Sequence, residues 1–455
     1  MKQNKKNIII IIIVLVLLLI GLVVYLIDRN SPVDKTLIIA SFWDAPNFVE
    51  VGDNLNFEDT AIRVKEARSG FEKAMNDYKK NLDIREIQIS EQKELRGFAT
   101  DIASIFTTED VLMSVGATTN EKTMYGAMEM DFFQIPMLIP YSEGELTVEN
   151  TDSQMNYVVR LTPTSAKYAE YFSNTLLPGS LFDVMNAILF DNYVVPEYSV
   201  NIAIFFPDNF SGHNMAVQIS QAIMDNNYNV EIYEPYSTDS LSFVVSSAWR
   251  DHEDILEDID VVIILGENAA PMPEMKEVYN TWNDRDLKPS FIMLGYRPVD
   301  DDPELINASN LYMLIQNLDW STCPAEITTR SEGLGYAAGY ITTKALETAL
   351  TKVPPEPHGL QLLTKTKAQR NVIHQTYLKN LRSEILSALL NMNENIPCFG
   401  KANLGMDPDE RSTLSLVRYK GNNVYEPVST SVIYDPIIDK IRAEFGLDDN
   451  SGSFN

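Results

Sequence analysis

The sequence predicts an α/β protein: two lobes of parallel sheet that share several chain crossings, preceded by one membrane-spanning helix. Three observations predict it. Short apolar runs of strand length alternate with stretches of helical periodicity, which argues parallel strands joined by crossover helices. The runs are apolar on both faces, as strands covered by helices on both sides require. One strand–helix series extends to about Thr162, a second begins near Val200, and a long helix and the strand-like Thr413–Tyr419 return late. That order fits two interleaved lobes better than two beads on a string.

The N-terminus comes first. Ile8 to Ile27 are twenty consecutive apolar residues. At 1.5 Å per residue they match the roughly 30 Å hydrocarbon core of a bilayer. Lys2, Lys5 and Lys6 precede the run and no acid stands before Asp28, so residues 1–7 read as a cytoplasmic basic tail with the remaining chain outside. A cleaved secretory signal is the competing reading. The run is longer than a signal-peptide core, and no small-x-small pattern follows it. The only cysteines are Cys323 and Cys398, so no lipid-bearing cysteine stands at its end. Residues 28–35, with Pro32, read as a tether.

The candidate strands are Thr36–Phe42, Asp110–Ala117, Ile135–Pro140, Val159–Thr162, Val200–Phe206, Val230–Glu234, Asp260–Gly266, Ser290–Tyr296 and Leu311–Gln316. Helices fill the gaps. Across Asp59–Asn81, Val64, Ala67, Phe71, Ala74, Met75 and Tyr78 recur at spacings of three and four, with lysines and glutamates on the other face. Gly212–Asn226 repeats the pattern through Met215, Ile219 and Ile223, and Gly333–Leu350 and Val372–Leu390 read as longer amphipathic helices. All are core-facing. No tandem repeat is present, and the end of the chain reads as a disordered tail.

Composition bounds the function. The 455 residues are 45% hydrophobic and carry a net charge of −28. Setting aside the three lysines of the basic tail, about −31 lies outside. Such a surface repels nucleic acid and anionic headgroups, and its plainest meaning is a solvated exterior. The two cysteines stand in an oxidising exterior, where pairing is open. His213, His252, His358 and His374 have no metal-ligand spacing, so neither a metal nor a cofactor is expected.

Several stretches in order resemble the branched-chain amino acid (leucine/isoleucine/valine) binding family of ABC importers. They are Ala67-Arg68-Ser69-Gly70-Phe71-Glu72-Lys73-Ala74, Val111–Thr119, Ile135–Pro140, Glu145-Leu146-Thr147, Val159–Pro163, Asn201–Gly212 and Asp260–Gly266. The resemblance covers roughly residues 36–428. It implies a type I periplasmic binding protein: two Rossmann-like lobes joined by a multi-crossing hinge. It divides the chain into 36–161 plus 319–405 as lobe 1, 162–318 plus 406–445 as lobe 2, and 446–455 as the tail. Phe42-Trp43-Asp44-Ala45-Pro46 departs from the family's loop after the first strand, and the usual Gly-Gly after the first helix is missing.

By that resemblance a solute lies between the lobes, at strand carboxyl ends near helix N-termini, where free N–H groups and the helix dipole favour a carboxylate. Thr118, Thr119 and Asn120 would donate from one loop, although Thr119 or Asn120 could simply cap the next helix. Tyr141 and Ser142 form a second loop, or an ordinary turn. Phe210 or Ser211 and Glu267 face them from the other lobe. An acid for an ammonium group should follow the Ser290–Tyr296 strand; Tyr296 and Arg297 stand there instead, and Glu267 or Glu143 could substitute. Non-enzymatic binding of an amino acid-like solute, with an ABC permease as partner, is the resulting expectation. A sensing module acting through a separate membrane partner is an alternative. An anchored glycosyltransferase is a further one, for which Asp300-Asp301-Asp302 would have to be a metal motif and not a solvated loop; no nucleotide-binding glycine loop supports it.

Overall fold

The computed structural model describes residues 36–43, 57–80, 82–89, 95–116, 120–140, 156–178, 200–208, 210–236, 241–251, 253–272, 275–283, 288–298, 303–406, 408–421 and 424–445, together with 16–19 and 21. Residues 16–19 and 21 are helical, and Val16, Leu17, Leu18 and Leu19 are exposed. Among the described residues no helix is long and apolar enough to cross a membrane. Most of the expected span 8–27 lies outside them, as do the basic tail, the tether, the end tail and Asp300-Asp301-Asp302.

The first sheet has the order β2-β1-β3-β4-β5 and every pair in it is parallel. Its strands are β1 (Leu37–Ser41), β2 (Ile84–Gln88), β3 (Val111–Val115), β4 (Met137–Ile139) and β5 (Val158–Arg160). One face is covered by α1 (Phe57–Tyr78), whose Val64, Ala67, Phe71 and Met75 join Ile39, Val115 and Leu138 in one core. The other face packs Ala40, Val111, Met137 and Ile139 under α2 (Leu95–Thr108) and α3 (Asn120–Phe133).

The second sheet has the order β14-β13-β10-β9-β8-β6-β7. Its strands are β6 (Asn201–Pro207), β7 (Asn229–Tyr236), β8 (Ile259–Met272), β9 (Ser290–Pro298), β10 (Leu311–Gln316), β13 (Leu414–Tyr419) and β14 (Tyr425–Pro427), and the hairpin β11 (Asn393–Ile396) and β12 (Gly400–Asn403) stands apart. Helix α4 (Ser165–Tyr171) and α5 (Phe210–Met224) cover one face, with α6 (Leu241–Asp251) and α7 (Met275–Asn283) on the other. Two long helices then follow, α8 (Arg330–Lys352) and α9 (Lys367–Leu390), and both return to the first core. Each starts on a capping box that satisfies otherwise orphaned N–H groups: Thr329 with Glu332, and Thr366 with Gln369. The last helix, α10 (Ser431–Phe445), rejoins the second core.

The parallel expectation needs one correction. β13 and β14 are antiparallel to their neighbours. The chain leaves β10 for the first core and comes back after Leu404, so β13 runs against β10 and β14 closes the sheet edge as its antiparallel partner.

Candidate functional site

Two loops leave neighbouring strands at the carboxyl edge of the first sheet. β3 ends at Val115, Gly116 turns the chain at φ +120°, and α3 opens at Asn120. Beside it β4 ends at Ile139 and passes to Pro140; Gly116 N–H donates to the Leu138 carbonyl at 3.0 Å. Thr118, Thr119, Tyr141, Ser142 and Glu143 lie on these loops outside the described residues. In the second sheet Phe210 opens α5 just after β6, while Glu267 and Tyr296 lie on the adjoining strands β8 and β9. β8 and β9 pair in register to Leu265↔Leu294 and resume at Ala270↔Tyr296, so Glu267 falls in the irregular stretch between.

Across the lobes α3 contacts α5, and β8 contacts α1. The N-terminus of each of these helices carries the partial positive charge that suits an anion. Ahead of α5, Asp208 is held by His213 Nε2 at 2.9 Å. Gly212 is required there, because a Cβ on it would stand 2.2 Å from the Pro207 carbonyl oxygen.

Three residues near this edge were not among the expected site residues. Phe42 and Trp43 are fully buried, one on each face of the sheet: Phe42 packs on Phe98 at 5.6 Å between centroids, and Trp43 on Phe71 at 5.5 Å. They continue the two-residue alternation of β1. Lys122, in the first turn of α3, is 9% exposed with its Nζ 5.2 Å from the Phe98 ring centroid. Gly116 is hemmed in by the same ring system, since a Cβ on it would come within 2.7 Å of Phe42 Cβ. Gly116→Ala is therefore expected to lower stability by about 1–3 kcal/mol, read by thermal denaturation. An unchanged transition would mean that this turn does not need glycine.

The lobes are joined through residues 161–165, 316–330 and 404–414, and the three crossings are bonded to one another. Gln316, 2% exposed, donates from Nε2 to the Leu161 carbonyl at 3.0 Å and to Ser412 Oγ at 3.4 Å. Thr164 donates through N–H and hydroxyl to Asp409, at 2.7 and 2.5 Å. Cys323 on the second crossing is disulfide-bonded to Cys398, with 4.4 Å between Cα atoms. Such a hinge fixes where the lobes can pivot. Among the described residues no group of histidine, cysteine and acids could hold a metal ion.

No family model matches the chain, and no curated protein matches it. Solved structures do. A leucine-binding protein from Thermotoga maritima superposes with a TM-score of 0.54 at 12% identity, over 87% of this chain and 97% of that one. A branched-chain amino acid ABC transporter protein from Thermus thermophilus with bound valine gives 0.55 at 12% identity, over 88% and 98%. The chain has the type I periplasmic binding protein fold. A solute-binding protein of an ABC transporter from R. palustris, in complex with 4-hydroxybenzoate, gives 0.54 at 12% identity, over 87% and 96%.

Proposed function

We propose that the chain is an extracytoplasmic solute-binding protein, held at the membrane by its N-terminal apolar run, that captures a small polar carboxylate between its lobes for an ABC importer. The observation that carries this reading is the contact across the lobes between α3 and α5, the helices opened by Asn120 and Phe210 at the carboxyl ends of β3 and β6. Those helix N-termini suit a carboxylate without any metal or cofactor. The solutes named for the three similar structures, leucine, valine and 4-hydroxybenzoate, share that group and little else. Thr118, Thr119, Asn120, Tyr141, Ser142, Phe210, Glu267 and Tyr296 are the residues proposed to line the site.

A thermal-shift screen of the fragment beginning near residue 34 tests this, with amino acids, small peptides, purines and aliphatic and aromatic acids. A carboxylate is expected to raise the melting temperature. With that solute, Thr119→Ala and Ser142→Ala are each expected to weaken binding by about 1–2 kcal/mol, read by calorimetry. A screen in which nothing shifts at millimolar concentration would remove the importer reading.

A further inference from the structure

Between Lys352 and Arg382 the chain carries six basic side chains and one acid, Glu356, in a protein of net charge −28. Lys365, Lys367 and Arg370 are exposed, and so is Leu363 beside them. Among the described residues none of these three cations is in an ion pair. Carboxylates of the same end are engaged elsewhere. Glu356 and Asp110 each meet one ring nitrogen of His374 at 2.8 Å, and Glu109 meets Arg85 at 3.2 Å. The cations also stand where a helix disfavours them. Lys367 and Arg370 occupy the start of α9, at the positive end of its dipole, with no acid in the first turn. Arg370 Nε donates to the Lys365 carbonyl at 3.1 Å, a local bond that offsets no charge. A local rule broken on the surface, with no ion pair among the described residues to compensate it, points to a role outside the fold.

The position of this segment says what that role is. The buried residues of α9 begin only at Leu378, so its first turns run on past the core. The helix passes the start of β3, where Arg382 Nε donates to the Val111 carbonyl at 2.9 Å and His374 holds Asp110. β1 is parallel to β3 with Ile38 opposite Val111, so the chain enters the lobe at this same edge. The cleft lies at the opposite edge. Along the helix Lys367 stands about 10 Å beyond His374. The apolar run ends at Ile27, and the eight-residue tether 28–35 spans at most about 28 Å, so an anchored chain keeps this edge close to the bilayer.

We propose that the face made by Leu363, Lys365, Lys367 and Arg370 docks on anionic phospholipid headgroups of the membrane that holds the apolar run. The inference rests on the anchored reading above. Lysine and arginine pair with lipid phosphates, and the apolar Leu363 seats at the headgroup boundary. The acidic remainder of the surface is repelled by the same headgroups, which leaves this face as the one that settles. Docked so, the first lobe lies against the bilayer and the second stands away from it.

The test is amide hydrogen exchange on the full chain in vesicles of phosphatidylcholine alone and of phosphatidylcholine mixed with phosphatidylglycerol. Peptides covering residues 361–375 are expected to exchange severalfold more slowly in the mixed vesicles. High salt and the combined Lys365→Gln, Lys367→Gln and Arg370→Gln variant should both abolish the difference. Equal exchange in the two vesicle types overturns the proposal. So does equal protection by soluble polyphosphate without vesicles, which would assign the face to a soluble polyanion. Flotation with pure phosphatidylcholine vesicles reads the anchor alone. If the chain does not float there, the anchored reading fails, and the face is then decided by flotation with mixed vesicles: wild type but not the triple variant supports it, neither or both overturns it.

Discussion

Gly335→Ala is expected to destabilise the first lobe by about 2 kcal/mol or more, although glycine-to-alanine changes inside helices ordinarily stabilise by about 1 kcal/mol. The reason is the contact between α1 and α8. A Cβ on Gly335 would stand 1.9 Å from the Ala67 carbonyl oxygen, one on Gly339 2.6 Å from that of Phe71, and one on Gly70 2.1 Å from that of Glu332. All three obstacles are backbone on a regular helix, so no side chain can swing aside. The helices would have to separate, and with them the packing of Phe71, Ala337 and Ile341 over the sheet. Gly333, two residues earlier, is the control. Its added Cβ would meet nothing nearer than Cys398 Cβ at 3.6 Å, so Gly333→Ala should be neutral or mildly stabilising. Denaturant unfolding of the two variants reads the difference, and equal midpoints would show that the helix pair is not packed backbone to backbone.

Loss of the Cys323–Cys398 bond is expected to cost about 2–4 kcal/mol, from the loop-closure entropy it removes from the unfolded chain. The loop it closes is long, with 75 residues of sequence separation. The bond also has a mechanical place. It ties the second crossing to the turn between β11 and β12, where Cys398 is fully buried and its N–H donates to Thr322 Oγ1 at 3.0 Å. The Cys323→Ser, Cys398→Ser double variant and the dithiothreitol-treated wild type should melt at the same lowered temperature. A double variant melting with the oxidised wild type would show that the bond adds nothing.

Much of this fold was legible because both sheets are covered on two faces. Runs such as Val261–Leu265 and Leu311–Ile315 are apolar throughout, as parallel strands buried on both faces are. Where that condition lapses, the signal lapses too. β2, reading Ile-Arg-Glu-Ile-Gln, is a half-exposed edge strand and was not distinguished from loop. α10 holds Pro436 in its interior, a residue that ordinarily argues against a helix. Near the site, the departure from the family's loop at Phe42-Trp43 has a packing reason that the residues alone do not show, since both are core from the end of β1. The basic face at 363–370 was hidden by averaging. A net charge of −28 describes the whole surface and says nothing of one helix end. The lining residues remain the least legible part, since glycine and hydroxyl residues in strand-to-helix loops serve turns and caps as readily as ligands.

Closure of the two lobes on a solute is the central claim, and small-angle X-ray scattering tests it most directly. The fragment beginning near residue 34 is measured in buffer and in a saturating pool of small carboxylates. The hinge and facing carboxyl edges predict a smaller radius of gyration and a shorter maximum dimension in the pool. Superposable curves at saturation would contradict a solute-binding cleft between these lobes.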